Sequence, residues 1–136
     1  MTAIERPLPV QEGPVGRFHE LLSTGALHLQ WCEACARWLY PAREQCGASA
    51  DHELVWRATS GRGRLFSWTT THQALHPAFA PEVPYVTALV ELDEGPRIVG
   101  RLVGVDPGSV ALNRPVRLEP TTVAGVAIVS WSVGSP

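Results

Sequence analysis

Three cysteines, Cys32, Cys35 and Cys46, fall within fifteen residues and are the only ones in the 136-residue chain. Cys32 and Cys35 make a Cys-x-x-Cys turn, which offers two soft thiolate donors to zinc, a metal that takes four ligands in a tetrahedron. Cys46 opens a second such turn after ten intervening residues, but the position that should close it holds Ser49. A site of four thiolates is therefore excluded. Within "CGASADH" the fourth donor is Ser49, Asp51 or His52, or else a water completes a three-cysteine site. Imidazole is the commoner zinc donor and a neutral hydroxyl the poorest, so the pattern points to Cys32, Cys35, Cys46 and His52 holding a structural zinc. Two alternatives stand beside it. One is a metal-free remnant held in shape by Trp31, Trp38, Leu39 and Tyr40. The other is a catalytic zinc with three ligands and an open position, for which no base or oxyanion arrangement lies nearby.

The remaining reactive residues form no constellation that sequence alone singles out as catalytic. His72 and His76 stand four apart, but "HPAFAP" follows, so a helical metal pair is not expected and a surface loop is. Asp93 and Glu94 resemble a paired carboxylate, yet "LDEGPR" reads as the turn of a hairpin, where acidic residues serve turn geometry and solvation. "SGRGR" at 60–64 is glycine-rich and basic. Its amides could approach a pyrophosphate while Arg62 or Arg64 pairs with it, or its glycines could simply permit a bend at the start of a strand. No Ser/His/Asp or Cys/His set has an order or spacing that marks a nucleophile, and no catalytic residue is assigned.

Composition limits the surroundings of these groups. With 45% hydrophobic and 18% charged residues the chain reads as globular, long enough to bury a core without disulfides. A formal charge of −2 gives no general attraction to phosphate backbones, which argues against nucleic acid as partner. No apolar run approaches the length of a membrane helix, and "MTAIERPLPVQEG" lacks the layout of a signal peptide, so a cytoplasmic protein is expected. In a reducing compartment the clustered cysteines are better explained as metal ligands than as disulfide partners.

The elements that must position them follow from periodicity. Residues 1–13, with Pro7 and Pro9, should be extended. Pro14 suits a first helical turn, and Val15, Phe18, Leu21 and Leu22 recur at helical spacing before Gly25, predicting one short amphipathic helix over 14–23. Residues 26–52 carry the cysteines. From 53 onward "ELVWRA", "GRLFSWTTTHQ", "PYVTALVELDE", "RIVGRLVGVD", "PVRLE" and "VAIVSWSV" are runs rich in β-branched and aromatic residues between Gly, Pro and Asp turns. Residues 84–103 should form a hairpin. The expected fold is mainly β: an extension with a helix over 1–25, a zinc-ribbon-like module over 26–52, and a five- to six-stranded barrel of the OB type over 53–136. The proline-rich loop 72–84 is too long for a mere connection. The helix, this loop and "VAGVAIVSWSV" are all expected to offer apolar surface to a partner.

In order and motif the chain resembles a family that joins a rubredoxin-like zinc ribbon to an OB-fold, long known as domain of unknown function 35. The resemblance covers about residues 14–131. It rests on the Cys-x2-Cys-x10-Cys spacing, "YPAR" between the knuckles, "SGRG" entering the barrel, and "ALVELDEGPRIVGRLVGVDP". Family members have Cys-x-x-Cys-Gly in the second knuckle, where this chain has "CGASADH". The resemblance implies an auxiliary, non-catalytic subunit in a hetero-oligomer with a thiolase-like or lipid-transfer-protein-like enzyme acting on acyl-CoA, as in the retro-aldolase of steroid side-chain degradation. On that reading the CoA thioester is the substrate of the complex, and Arg62 and Arg64 are candidates for its phosphates. The competing class is a nucleic-acid-binding ribbon and barrel, which would need a basic groove lined by aromatics.

Overall fold

The structure, a computed structural model, describes residues 5–133. Of the segment expected to be extended, residues 1–4 lie outside that range, and residues 5–11 carry no regular structure. Helix α1 (Gly13–Leu22) begins with a proline in its first turn and buries Phe18 and Leu22, the inward positions of its apolar stripe.

The chain then enters a three-stranded antiparallel sheet, β1 (His28–Cys32), β2 (Arg37–Leu39) and β3 (Leu54–Ala58), in the order β2-β1-β3. The run "ELVWRA", expected to open the barrel, therefore pairs with the cysteine segment. Its register sets Leu54 opposite Cys32 and Ala58 opposite His28. The alternation of that run fits either sheet, so only the available partner strand decides.

Five strands close the barrel: β4 (Arg62–Thr71), β5 (Tyr85–Leu92), β6 (Arg97–Val103), β7 (Pro115–Leu118) and, after the hairpin of β8 (Thr121–Val123) and β9 (Val126–Ile128), β10 (Ser130–Val133). Neighbours follow the cycle β4-β5-β6-β10-β7, all antiparallel except β6 with β10, the arrangement of an OB barrel. Strand β5 alternates cleanly, with Val86, Ala88, Val90 and Leu92 inside. The expected hairpin over 84–103 is the β5–β6 pair. A bulge between Leu65 and Ser67 bends the long strand β4 around the barrel, and Phe66 is left 44% exposed there.

The C-terminal run behaves differently from expectation. "VAGVAIVSWSV" supplies a small hairpin and the closing strand, and Val126, Ala127, Val129, Ser130 and Trp131 are buried. It is barrel interior rather than free apolar surface, because only this strand can pair with both β6 and β7. Trp131 is fully buried, and a Cβ on Gly100 would sit 2.8 Å from its Nε1. Phe18, Leu22, Leu27 and Leu29 belong to the same apolar cluster as Leu65, Val90, Ile98 and Trp131, so helix, ribbon sheet and barrel share one core.

A candidate metal centre and its surroundings

The ribbon sheet carries the cysteines at its outer end. Cys32 is the last residue of β1, and the chain turns at once toward β2: the Cys35 amide donates to Cys32 Sγ at 3.3 Å and the Ala36 amide to the Cys32 carbonyl at 2.8 Å. Ala36 sits at φ 52°, the left-handed conformation that closes such a turn. The second turn is fixed from below. Gln30, buried within β1, donates to the Arg43 carbonyl at 2.7 Å and accepts from the Arg43 amide at 2.8 Å, fastening "YPAR" to the sheet ahead of Cys46. Sequence reading missed Gln30. No spacing in the sequence marks it: Leu29 and Gln30 are successive buried positions because β1 has the main core on one face and the cysteines on the other.

At the position expected to hold a second cysteine, Ser49 makes a turn. Its Oγ accepts from the Asp51 amide at 3.2 Å and its carbonyl from the His52 amide at 3.3 Å. The turn delivers His52 to the thiols, and the pairing of Leu54 with Cys32 holds it there. His52 Nδ1 lies 3.4 Å from Cys35 Sγ and 3.6 Å from Cys32 Sγ, and the sulfurs of Cys35 and Cys46 are 3.8 Å apart. All four donor atoms fall within 4.8 Å of one another. A tetrahedron with zinc–sulfur arms of about 2.3 Å has sulfur–sulfur edges near 3.8 Å, and a zinc–nitrogen arm of about 2.0 Å shortens the mixed edges to roughly 3.5 Å. The residues fit a tetrahedral metal, and the cluster could hold one. Asp51 is exposed and has no donor atom in the cluster.

The thiols are electrostatically unequal. The Ala48 amide, then His52, draws the Cys46 thiol down to about 5, so it is ready to ligate as thiolate. Cys35 is pushed up to about 11, chiefly by its hydrogen bond with Cys32 and next by desolvation. Cys32, Leu39 and Cys46 form a small buried cluster of their own, with Cys35 and Leu54 against it.

The other candidates are dispersed. His76 caps a short 3-10 helix (Pro77–Glu82), its Nδ1 accepting from the Ala78 amide at 3.1 Å, and His72 is exposed just after β4. Glu94 accepts from the Ser60 amide and, at 3.1 Å, from its hydroxyl, which ties the β5–β6 turn to the bend before β4; Asp93 is exposed. The glycines of "SGRG" have conformational work to do: Gly61 has φ 70°, and a Cβ on Gly63 would meet the Glu91 carbonyl at 2.3 Å. Arg62 lines a shallow pocket of about 250 Å³ with Arg117, which faces it across the β4–β7 ladder. Arg64 is outside that pocket and donates to the Asn113 carbonyl at 3.0 Å. Among the described residues no helix is long and apolar enough to cross a membrane.

Comparison with known proteins adds a second line of observation. Residues 56–120 match the family model described as "ChsH2, C-terminal OB-fold domain". A solved chain titled "Ltp2-ChsH2(DUF35) aldolase" superposes with a TM-score of 0.75 at 32% identity, over 87% of this chain and 92% of that one. Among curated proteins, the probable enoyl-CoA hydratase alpha subunit of Thermomonospora curvata is 34% identical over 114 residues, 84% of this chain and 35% of its own length. The 3-oxo-4,17-pregnadiene-20-carboxyl-CoA hydratase alpha subunit of Mycobacterium tuberculosis is 41% identical over 73 residues, 54% of this chain and 23% of its own length. The chain thus spans about a third or less of these two hydratase subunits.

Proposed function

Because the chain belongs to the DUF35 family of joined ribbon and OB-fold proteins, we propose that it is a non-catalytic subunit which docks on a thiolase-like or lipid-transfer-protein-like enzyme and completes its acyl-CoA site. The observation that carries this is the likeness to the DUF35 chain of an aldolase over both ribbon and barrel, at 92% of that chain's length. A steroid or other lipid acyl-CoA is the substrate class, in keeping with the pregnadiene-carboxyl-CoA hydratase relative. The reaction itself would belong to the partner.

Within such a complex the Cys32, Cys35, Cys46 and His52 cluster would hold a structural zinc, joining the two turns and β3 into one rigid end. Arg62 and Arg117 set two like charges directly opposite each other, which is unfavourable without a counter-anion. That pocket is the better place for the CoA phosphates, whereas Arg64, committed to Asn113, has a lesser share. The proline-rich loop presents Leu75 at 94% exposure, the most exposed large apolar side chain described, and is the docking element.

Co-expression with a candidate thiolase-like or lipid-transfer-protein-like enzyme tests the reading. A stable hetero-oligomer in size-exclusion chromatography, lost on Leu75→Asp, supports it. A chain that stays monomeric, soluble and indifferent to any such protein overturns it.

A further inference from the structure

A second groove, which Arg62 does not line, offers a separate site. It has a volume of about 500 Å³ and runs beside β6, walled by the β8–β9 hairpin, α1 and the end of the ribbon sheet. Much of its lining is apolar: Val99 and Val103 from β6, Val123 and Ile128 from the hairpin, and Phe18 from α1. Its charged groups gather in one cluster. Glu82, from the 3-10 helix, receives Arg101 of β6 and, at 3.4 Å, Arg6 of the N-terminal segment. Both guanidinium groups are held by aromatic rings as well, Arg101 at 4.1 Å from the centroid of Tyr85 and Arg6 at 4.7 Å from that of Phe79.

Two cations share one carboxylate, and no other acidic side chain lines the groove. One positive charge is left over, fixed and only partly hydrated, since the Arg6 and Arg101 side chains are 28% and 22% exposed. Barrels of this type bind oligonucleotides and oligosaccharides on the corresponding face. A polyanion needs a run of cations, and here there is one in excess. A sugar needs polar groups along its whole length, and here an unbroken apolar stretch of Phe18, Val99, Val103, Val123, Ile128 and Val129 lines the groove beside the few polar ones.

We propose that this groove is a ligand site for an apolar chain ending in a single anionic group, a carboxylate or a phosphate ester, whose charge meets Arg6 and Arg101. The volume admits roughly fifteen non-hydrogen atoms at liquid-like packing, about the size of a ten-carbon acid. The site is built from this chain's own walls and stands whether or not the proposed enzyme partner exists. Thr87, which also lines it, can turn its hydroxyl toward the ligand, whereas the Ser130 hydroxyl is buried and paired with that of Thr121 at 2.9 Å.

Isothermal titration of the full chain, within its complex if assembly is needed for solubility, uses three probes: decanoate, decyl phosphate and decanol. The expected result is that at least one anionic probe binds tenfold or more tighter than decanol, the tighter one identifying the headgroup. Arg101→Gln should bring that ratio below threefold, while Arg97→Gln, outside the groove, leaves it unchanged. Val99→Trp, placed at a half-exposed position on the groove wall, should weaken every probe that binds, and it keeps the test decisive if Arg101→Gln fails to fold. Equal affinity for all three probes, no binding by any, or unaltered binding in a folded Val99→Trp variant overturns the proposal. Partner assembly, followed separately by size exclusion, reports on the functional reading alone.

Discussion

Replacing His52 by alanine should remove one of four donors from the proposed zinc site while leaving the fold around it in place. Three of the six donor separations already sit at the edge lengths of a zinc tetrahedron, 3.4, 3.6 and 3.8 Å, and all six fall within 4.8 Å, so metal binding needs only a small contraction of the cluster. Structural zinc sites of this kind are worth about 10–16 kcal/mol at neutral pH, and an even share among four ligands is roughly 3 kcal/mol, or about 200-fold in affinity. Water would recover part of this by filling the fourth position, which places the expected drop at about 50- to 200-fold. Elemental analysis should give near-stoichiometric zinc for the parent chain, and a competition titration with a chromophoric chelator should show the shift for His52→Ala. Ser49→Ala, which loses only a turn hydrogen bond to the Asp51 amide, should move the midpoint by less than about threefold. An unchanged midpoint in His52→Ala would refute the Nδ1 assignment. Zinc absent from the parent, with three freely titrating thiols, would refute the site.

Three further outcomes follow from the geometry. In metal-free protein at pH 6, alkylation should mark Cys46 before Cys35, since the first is drawn down to about 5 and the second pushed up to about 11; equal labelling by mass spectrometry contradicts this. Gly100→Ala should cost about 3 kcal/mol, on the order of 10 °C in melting temperature, because the new Cβ would lie 2.8 Å from the Val129 carbonyl oxygen, which no rotamer change relieves; Gly108→Ala, whose nearest neighbour is 3.7 Å away, is the control. Burial raises the Tyr40 phenol, so the fold favours its neutral form; that stability is present below the ordinary tyrosine range and lost as pH rises through the raised value, and absorbance titration near 295 nm should find one tyrosine ionising late unless Tyr40→Phe removes it.

Much of the fold was legible from local pattern. The helix followed from Pro14 and the spacing of Phe18 and Leu22, and the β5–β6 hairpin from strict alternation on both sides of "DEGP". Pairing partners were less legible. "ELVWRA" has the composition of a barrel strand, and only tertiary competition places it beside β1. "VAIVSWSV" reads as one strand but divides at Val129, because β9 turns back on β8 before β10 joins β6 and β7. At the site, the three cysteines announced themselves by spacing. His52 could be named only by elimination of weaker donors, since the turn that delivers it is made by Ser49. Gln30 was invisible because a buried strand glutamine has no spacing rule. The groove beside β6 was beyond sequence altogether, for its lining comes from six separate segments and its charge from Arg6 and Arg101, far apart in the chain.

The shared core has a consequence for how the molecule comes apart. Leu27 and Leu29 of the ribbon sheet and Phe18 and Leu22 of the helix pack with Trp131 at the far end of the chain, and the residues matched by the family model, 56–120, include neither the helix nor the closing strand β10. Cut out alone, that span would leave β6 and β7 without the strand that bridges them and would open the interior to water. Ribbon and barrel should therefore melt in a single cooperative transition, and a chelator acting forty or more residues from β6 in sequence should lower the melting point of the whole. A metal held at one end of the protein would in this way act as a thermostat for the barrel at the other.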